Sequence, residues 1–289
     1  MTRPMRSWMF VPGNIERFLD KAPVSGADAV LFDLEDGVLP DGKPGARTLV
    51  RERLERDWDG PLRYVRINAV TTPWFEEDLD AILVPGIDGI CLPKAESLED
   101  VAILSRRLDA FERQHALDVG STRILAAIES AHALVGAPAI AAADPRVSGL
   151  MFGAEDYALD LGLGTHREGE ASEMIYARSA IVVAAASAHV LSIDGVFPAL
   201  DDPEGFSADV LQSRRLGFSA KSTFNPRQLD EINQVFSPQQ DEIAYARRVV
   251  EAFKIAEDRG EASVAVGGQL VDRPIVLRAQ RLLELVDRG

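Results

Sequence analysis

Two carboxylates stand out because each follows a short apolar run: Glu129 directly after Arg123–Ile128, and Asp156 shortly after Val147–Phe152. Runs this short and this rich in Ile, Val and Leu read as strands buried on both faces. The two acids therefore lie at the ends of neighbouring strands. Two hard oxygen ligands without a companion His or Cys suit Mg2+, or Mn2+ in its place, with water and substrate oxygens completing the shell. Taken singly, either acid is accounted for by capping the helix that follows. The pair on consecutive strand ends favours a metal.

Asp33-Leu34-Glu35-Asp36 places three more acids at the end of another run, Ala29–Leu34. Unpaired buried charge is costly. Glu35 and Asp36 are thus expected to accept from waters in a metal's shell, or to join Arg66 and Lys94 in a structural ion network; the two roles are compatible. Arg66 stands near the end of Arg63–Ile67, beside Asn68. A guanidinium there clamps a carboxylate in bidentate fashion and stabilises a developing enolate or alkoxide. Lys94 follows Gly89–Leu92 in the same way, but imine chemistry needs a lysine with a depressed pKa. Nearby acids act in the opposite direction, so metal-assisted enolate chemistry is favoured over an imine.

The first run, Ser7–Val11, leads through Pro12-Gly13-Asn14 into a helical segment where Arg17 and Lys21 share a face. That face suits a phosphate-rich group, although Glu16 and Asp20 make a merely solvated surface an equal alternative. The four histidines, His115, His132, His166 and His189, form no cluster. No Ser-His-Asp or Cys-His arrangement stands out, and Cys91 reads as a buried strand residue.

Eight such runs position these groups. Besides those named they are Val190–Ile193, closing on Asp194-Gly195, and Gly217–Lys221, closing on Ser222-Thr223-Phe224-Asn225-Pro226. Amphipathic segments lie between them, the clearest being Ile15–Lys21, Lys43–Arg56, Trp74–Leu83, Glu99–His115 and Glu173–Ala188. Strands alternating with helices imply parallel pairing, and eight units imply a closed (β/α)8 TIM barrel. In such barrels the active site sits at the C-terminal ends of the strands, which is where the acids, Arg66 and Lys94 fall. The glycine fingerprint of a dinucleotide-binding sheet is missing after the first run.

The chain has 289 residues, 46% of them hydrophobic and 27% charged, a globular composition long enough for one barrel. A net charge of −15 argues against nucleic acid or an anionic membrane surface as partner. No apolar run approaches the roughly 18 residues of a membrane span, and no signal-peptide core is visible at the start. The single cysteine cannot form an internal disulfide, which fits a reducing, cytoplasmic location. After Pro226 the pattern changes to three helical segments, Gln228–Phe236, Pro238–Asp258 and Pro274–Arg288, with a Gly- and Val-rich stretch at Gly260–Val271. The expected division is a barrel over 1–228 and a helical extension over 229–289. Spacing alone assigns that extension no more than a scaffold role.

Taken in order, these residues resemble the HpcH/HpaI aldolase/citrate lyase family, in the branch around the citrate lyase beta subunit and malyl-CoA lyase. The resemblance spans nearly the whole chain. It rests on Phe10-Val11-Pro12-Gly13-Asn14, Asp33-Leu34-Glu35-Asp36-Gly37-Val38, Arg66-Ile67-Asn68, Leu92-Pro93-Lys94, Ile128-Glu129-Ser130, Phe152-Gly153-Ala154-Glu155-Asp156, Lys221 and Val271-Asp272-Arg273-Pro274. It implies Mg2+ held by Glu129 and Asp156, metal-bound waters on Glu35 and Asp36, and Arg66 on the keto acid. It further implies a CoA site around Phe10, Pro12, Arg17 and Lys21, with Lys94 and Asn225 also facing substrate. The extension becomes a lid on a neighbouring subunit that carries the catalytic acid Asp272, in a homotrimer or dimer of trimers.

The implied reaction is reversible cleavage of a 3-hydroxy-dicarboxylyl-CoA such as malyl-CoA or citramalyl-CoA to an acyl-CoA and a 2-keto acid. Alternatives are malyl-CoA thioester hydrolysis on the same site, or a non-catalytic CoA-ester-binding or citrate lyase complex subunit. One position departs from the family pattern: the family has Ile-His-Pro where this chain reads Phe224-Asn225-Pro226. Asparagine cannot titrate, so an acid–base role for that histidine is absent here.

Overall fold

Along each strand alternate side chains point inward. The inward set Trp8, Ala29, Leu31, Tyr64, Cys91, Leu125, Ala127, Met151, Ile193 and Ala220 forms one buried apolar cluster. Those positions belong to eight parallel strands: β1 (Ser7–Pro12), β2 (Ala29–Asp33), β3 (Leu62–Arg66), β4 (Gly89–Leu92), β5 (Arg123–Ile128), β6 (Val147–Phe152), β7 (Leu191–Asp194) and β8 (Ala220–Thr223). Each pairs with its sequence neighbours, and β1 pairs with β8 to close a barrel. The chain is a (β/α)8 barrel followed by further helices. This computed structural model describes residues 5–164 and 171–288; His166 lies outside them.

Counting on by two from that apolar layer locates the chemistry. Leu31 leads to Asp33, Tyr64 to Arg66 and Ala127 to Glu129, so these three groups form part of the next layer toward the strands' C-terminal ends. The outer faces of the strands are covered by helices. The longest of these in the barrel, Leu98–Gln114, begins with a Ser97/Asp100 capping box and buries Val101, Leu104, Leu108 and Phe111 at helical spacing.

The final strand differs from expectation. Gly217–Lys221 was the expected run, whereas β8 is Ala220–Thr223. Gly217 instead ends the helix Pro203–Leu216 in a left-handed conformation, φ +100°, with its N–H donating to the Arg214 carbonyl. Beside this seam Asp194 accepts from Arg178 Nη2 at 2.6 Å and from Lys221 Nζ at 2.9 Å, all three buried. Lys221 also donates to the Gly195 carbonyl at 2.8 Å, and Asp209 completes a set of two acids and two cations. Burial opposes the Asp194 charge, but Lys221 and Arg178 outweigh it and hold its carboxyl below the ordinary range.

The barrel unit runs from Met5 to Gln234. Its last helix, Leu229–Val235, buries Leu229 and Ile232, and Asn233 accepts from Ser7 Oγ while donating to the Gly26 carbonyl. A second unit begins at Val235. It holds the helices Gln240–Asp258 and Arg273–Arg288 around a hairpin of Val264–Val266 and Gln269–Val271. The hairpin turns on Gly267 and Gly268, at φ +58° and +81°, a two-residue turn that requires left-handed backbone at both positions. Val249, Phe253, Val271 and Val276 form this unit's own buried cluster. Among the described residues no helix is long and apolar enough to cross a membrane.

Candidate active site

Asp33 and Arg66 are register partners across β2 and β3, each the last residue of its strand. Arg66 donates Nε to Asp33 Oδ1 at 2.7 Å and Nη2 to Asp33 Oδ2 at 2.8 Å, a bidentate pair. Asp33 also accepts the backbone N–H groups of Glu35 and Gly37, so it fixes both the guanidinium and the acidic turn. Burial works against charge on both groups. The pair nevertheless holds Asp33 below and Arg66 above its usual range. The guanidinium stacks 4.8 Å from the Phe10 ring centroid and turns Nη1 toward Glu35 Oε2 at 3.2 Å. That oxygen makes no hydrogen bond and is buried.

The sequence marks Asp33 only as one of three acids in the turn; the structure makes it the clamp for Arg66. Its position as the final residue of a strand adjoining the arginine's strand was the available signal. Replacing Asp33 by Asn should free the guanidinium and leave it without its buried counter-charge. We expect melting to fall and kcat/KM to drop roughly 100-fold, since breaking a buried ion pair costs about 3–5 kcal/mol and misplaced donors lose transition-state stabilisation. An unchanged kcat/KM would show that Arg66 needs no such clamp.

Lys94, just beyond β4, extends Nζ to Glu35 Oε1 at 2.5 Å. Burial opposes its charge, yet the Glu35 hydrogen bond and the charges of Glu35, Glu129 and Asp36 together outweigh that and hold the ammonium above its ordinary range. It therefore offers no free amine for imine formation at neutral pH. Its backbone N–H donates to Glu129 Oε2 at 3.2 Å.

Glu129 is 5% exposed, and Asp156 stands in the first turn of the helix Ala154–Asp160. Both line one cavity of about 380 Å³, together with Phe10, Pro12, Asp36, Arg66, Cys91, Gly153 and Phe224. Gly153 is required there, because a Cβ at that position would overlap the Glu129 side chain. The sequence shows it only as part of a motif. The expected residues Phe10, Pro12, Asp36, Arg66, Glu129 and Asp156 thus meet on one surface. Glu35 and Lys94 border an adjoining cavity of about 320 Å³, which Asp36 also lines.

Of the other expected residues of the barrel unit, Arg17, Lys21 and Asn225 line neither cavity. Arg17 and Lys21 are exposed, and the neighbouring Glu16 and Asp20 are drawn to Arg53 instead. Asn225 is half-buried and accepts from the Arg227 N–H at 3.1 Å, capping a short turn. Asp272 belongs to the second unit, where it is exposed and its Oδ1 accepts from the Ile275 N–H at 3.4 Å at the start of a helix.

Positive charge is in short supply around the cavity. Asp33, Glu35, Asp36, Glu129 and Asp156 face Arg66 and Lys94, with Lys43 also close to the first three. Burial first, then Glu35, with Asp156 adding, pushes the Glu129 carboxyl up to about 8. A divalent cation between Glu129 and Asp156 would supply the missing charge, and water in its shell would give Glu35 Oε2 a donor. Among the described residues no group of three or more His, Cys, Asp or Glu side chains is arranged to hold a metal. Two carboxylates with open positions, as Glu129 and Asp156 would offer, fit Mg2+.

The profile of the HpcH/HpaI aldolase/citrate lyase family matches residues 6–226. The chain belongs to that family. The citrate lyase subunit beta of Leuconostoc mesenteroides is 41% identical over 99% of this chain and 94% of that protein. A (3S)-malyl-CoA thioesterase of Cereibacter sphaeroides is 37% identical over 97% of this chain and 94% of that protein. Among solved structures, CitE of Mycobacterium tuberculosis in complex with magnesium, acetoacetate and coenzyme A superposes with a TM-score of 0.80. It is 31% identical, with 98% of each chain covered. CitE thus shares this barrel, and citrate lyase beta subunits align over nearly the full length of this chain.

Proposed function

We propose that this chain is a Mg2+-dependent carbon–carbon lyase, with Mn2+ as the substitute ion. Its substrate would be a 3-hydroxy-dicarboxylyl-CoA such as malyl-CoA or citramalyl-CoA, and its products an acyl-CoA and a 2-keto acid. The observation that carries this reading is the cavity shared by Arg66, Glu129 and Asp156. Glu129 and Asp156 would hold the ion, which would supply Lewis acidity to substrate oxygens.

Cleavage breaks the bond between the carbinol carbon and the carbon next to the thioester carbonyl. The hydroxyl passes its proton to solvent as its C–O bond becomes a carbonyl, and the pair of the broken carbon–carbon bond passes to the thioester enolate, whose carbon then takes a proton. Arg66, locked by Asp33, places fixed donors on the anionic oxygens, so little reorganisation is needed as charge shifts. Asp36 and the Glu35–Lys94 pair form the polar wall beside it. Phe10 and Pro12 line the apolar approach for the acyl chain, Arg17 and Lys21 would meet the CoA phosphates, and Asn225 would border the channel. Asp272, from a neighbouring copy in a homotrimer or dimer of trimers, would protonate the enolate carbon. The likeness to a malyl-CoA thioesterase favours a second reading, in which water attacks the thioester on the same site.

The two are separated by incubating the protein with malyl-CoA, citramalyl-CoA and β-methylmalyl-CoA in the presence of Mg2+. The lyase releases keto acid and acyl-CoA in equal amounts, and EDTA abolishes this. Free CoA with intact hydroxy-dicarboxylate would replace the lyase by the thioesterase, and no turnover on any ester would leave a binding role.

A further inference from the structure

Lys94 touches more of the acidic cluster than any single role explains. Its Nζ lies 2.5 Å from Glu35 Oε1, 3.7 Å from Asp36 Oδ2 and 3.9 Å from Asp156 Oδ1. Its backbone N–H is held by Glu129 at 3.2 Å. One residue thereby reaches both proposed metal ligands and both of their acidic neighbours. Its backbone is left-handed, φ +47°, a conformation that costs a side-chain-bearing residue energy and persists only where the surroundings impose it. The ammonium is not sealed in: the side chain is 38% exposed and borders the second cavity with Thr71, Thr72 and Trp74.

We propose that Lys94 is a tethered counter-cation that occupies the electrostatic place of the divalent ion and competes with it. The inference rests on the metal reading of Glu129 and Asp156. With no divalent ion bound, the ammonium relieves repulsion among Glu35, Asp36 and Asp156. When the ion binds, two positive charges share these carboxylates at short range, and their repulsion weakens metal affinity. The second cavity offers the ammonium room to withdraw. Lys94 thus keeps the empty site folded and holds metal affinity below what the carboxylates alone would give.

The test is titration of metal-free protein with Mg2+ and with Mn2+ by calorimetry, at pH 9 so that Glu129 is ionised, alongside melting curves. Lys94→Met and Lys94→Gln should both tighten Mg2+ and Mn2+ binding by about tenfold or more. Lys94→Arg, which keeps the charge, should stay within about twofold of the parent. Metal-free Lys94→Met should melt below the parent, and the gap should close at saturating Mg2+. Equal or weaker metal binding by the Met and Gln variants, with parent binding still abolished by Glu129→Gln, would overturn the proposal and leave the metal site standing. Parent binding that survives Glu129→Gln would overturn the metal site and this proposal with it.

Discussion

Glu129→Gln should abolish turnover and, in the same protein, raise the melting temperature of the metal-free form. The substitution removes one of the two carboxylates that would hold the ion, so the loss of activity should be at least about 1,000-fold. The stability gain follows from the carboxyl being pushed up to about 8 by burial and its acidic neighbours. A carboxyl whose folded-state value lies above its unfolded value binds its proton more tightly when folded. Its contribution to stability is fully present below about 4.5 and is lost as pH rises through about 8. At pH 4 parent and variant should therefore melt together, and by pH 8 the variant should lead by an amount on the order of 4 kcal/mol. Because the ion needs the carboxylate form, parent Mg2+ affinity should climb with pH up to about 8 and then level. A variant that melts no higher at pH 8 would show that Glu129 is already compensated.

Asp272→Asn should lower turnover by orders of magnitude while Mg2+ affinity and melting stay at parent values. The carboxylate makes a long 3.4 Å contact to the Ile275 N–H, and asparagine caps a helix as well as aspartate does. Folding should therefore survive, and the loss belongs to proton transfer. A mixing experiment shows which copy supplies the acid. Random hybrids of Asp272→Asn with Glu129→Gln subunits should regain activity toward about a quarter of parent if each site takes Asp272 from its neighbour. They should regain none if both groups act within one chain. Near-parent turnover of Asp272→Asn alone would end the assignment.

The barrel was legible because its signals are local. Eight short β-rich runs closing on polar residues needed only counting, and β4, β5 and β6 run over the same residues in structure and sequence pattern. The misplacement at β8 has a local cause as well: Gly217 resembles the start of an apolar run but acts as a helix terminator, and the signal that marks it, Arg214 and Arg215 in the turn before, lies upstream of the run. The site was partly legible. Inward parity aligns Asp33, Arg66 and Glu129, yet parity gives no distances, so the Asp33 clamp on Arg66 and the reach of Lys94 across four acids needed coordinates. Gly153 was visible as a letter in a motif, but its reason, the close approach of Glu129, arises from a neighbouring strand. The part assigned to Asp272 came from family resemblance, because a contact between copies leaves no periodic trace in one chain.

The stacking of inward residues has a consequence for how such an enzyme changes over time. A slip of one residue in any strand would turn its inward set outward, and it is the apolar tier of Trp8, Leu31, Tyr64, Leu125 and Ile193 that resists such a slip. The charged rim of Asp33, Arg66 and Glu129 rides on that alignment without having to create it. Substitutions confined to the rim can thus alter the chemistry at the barrel mouth while the tier beneath keeps the strands in step.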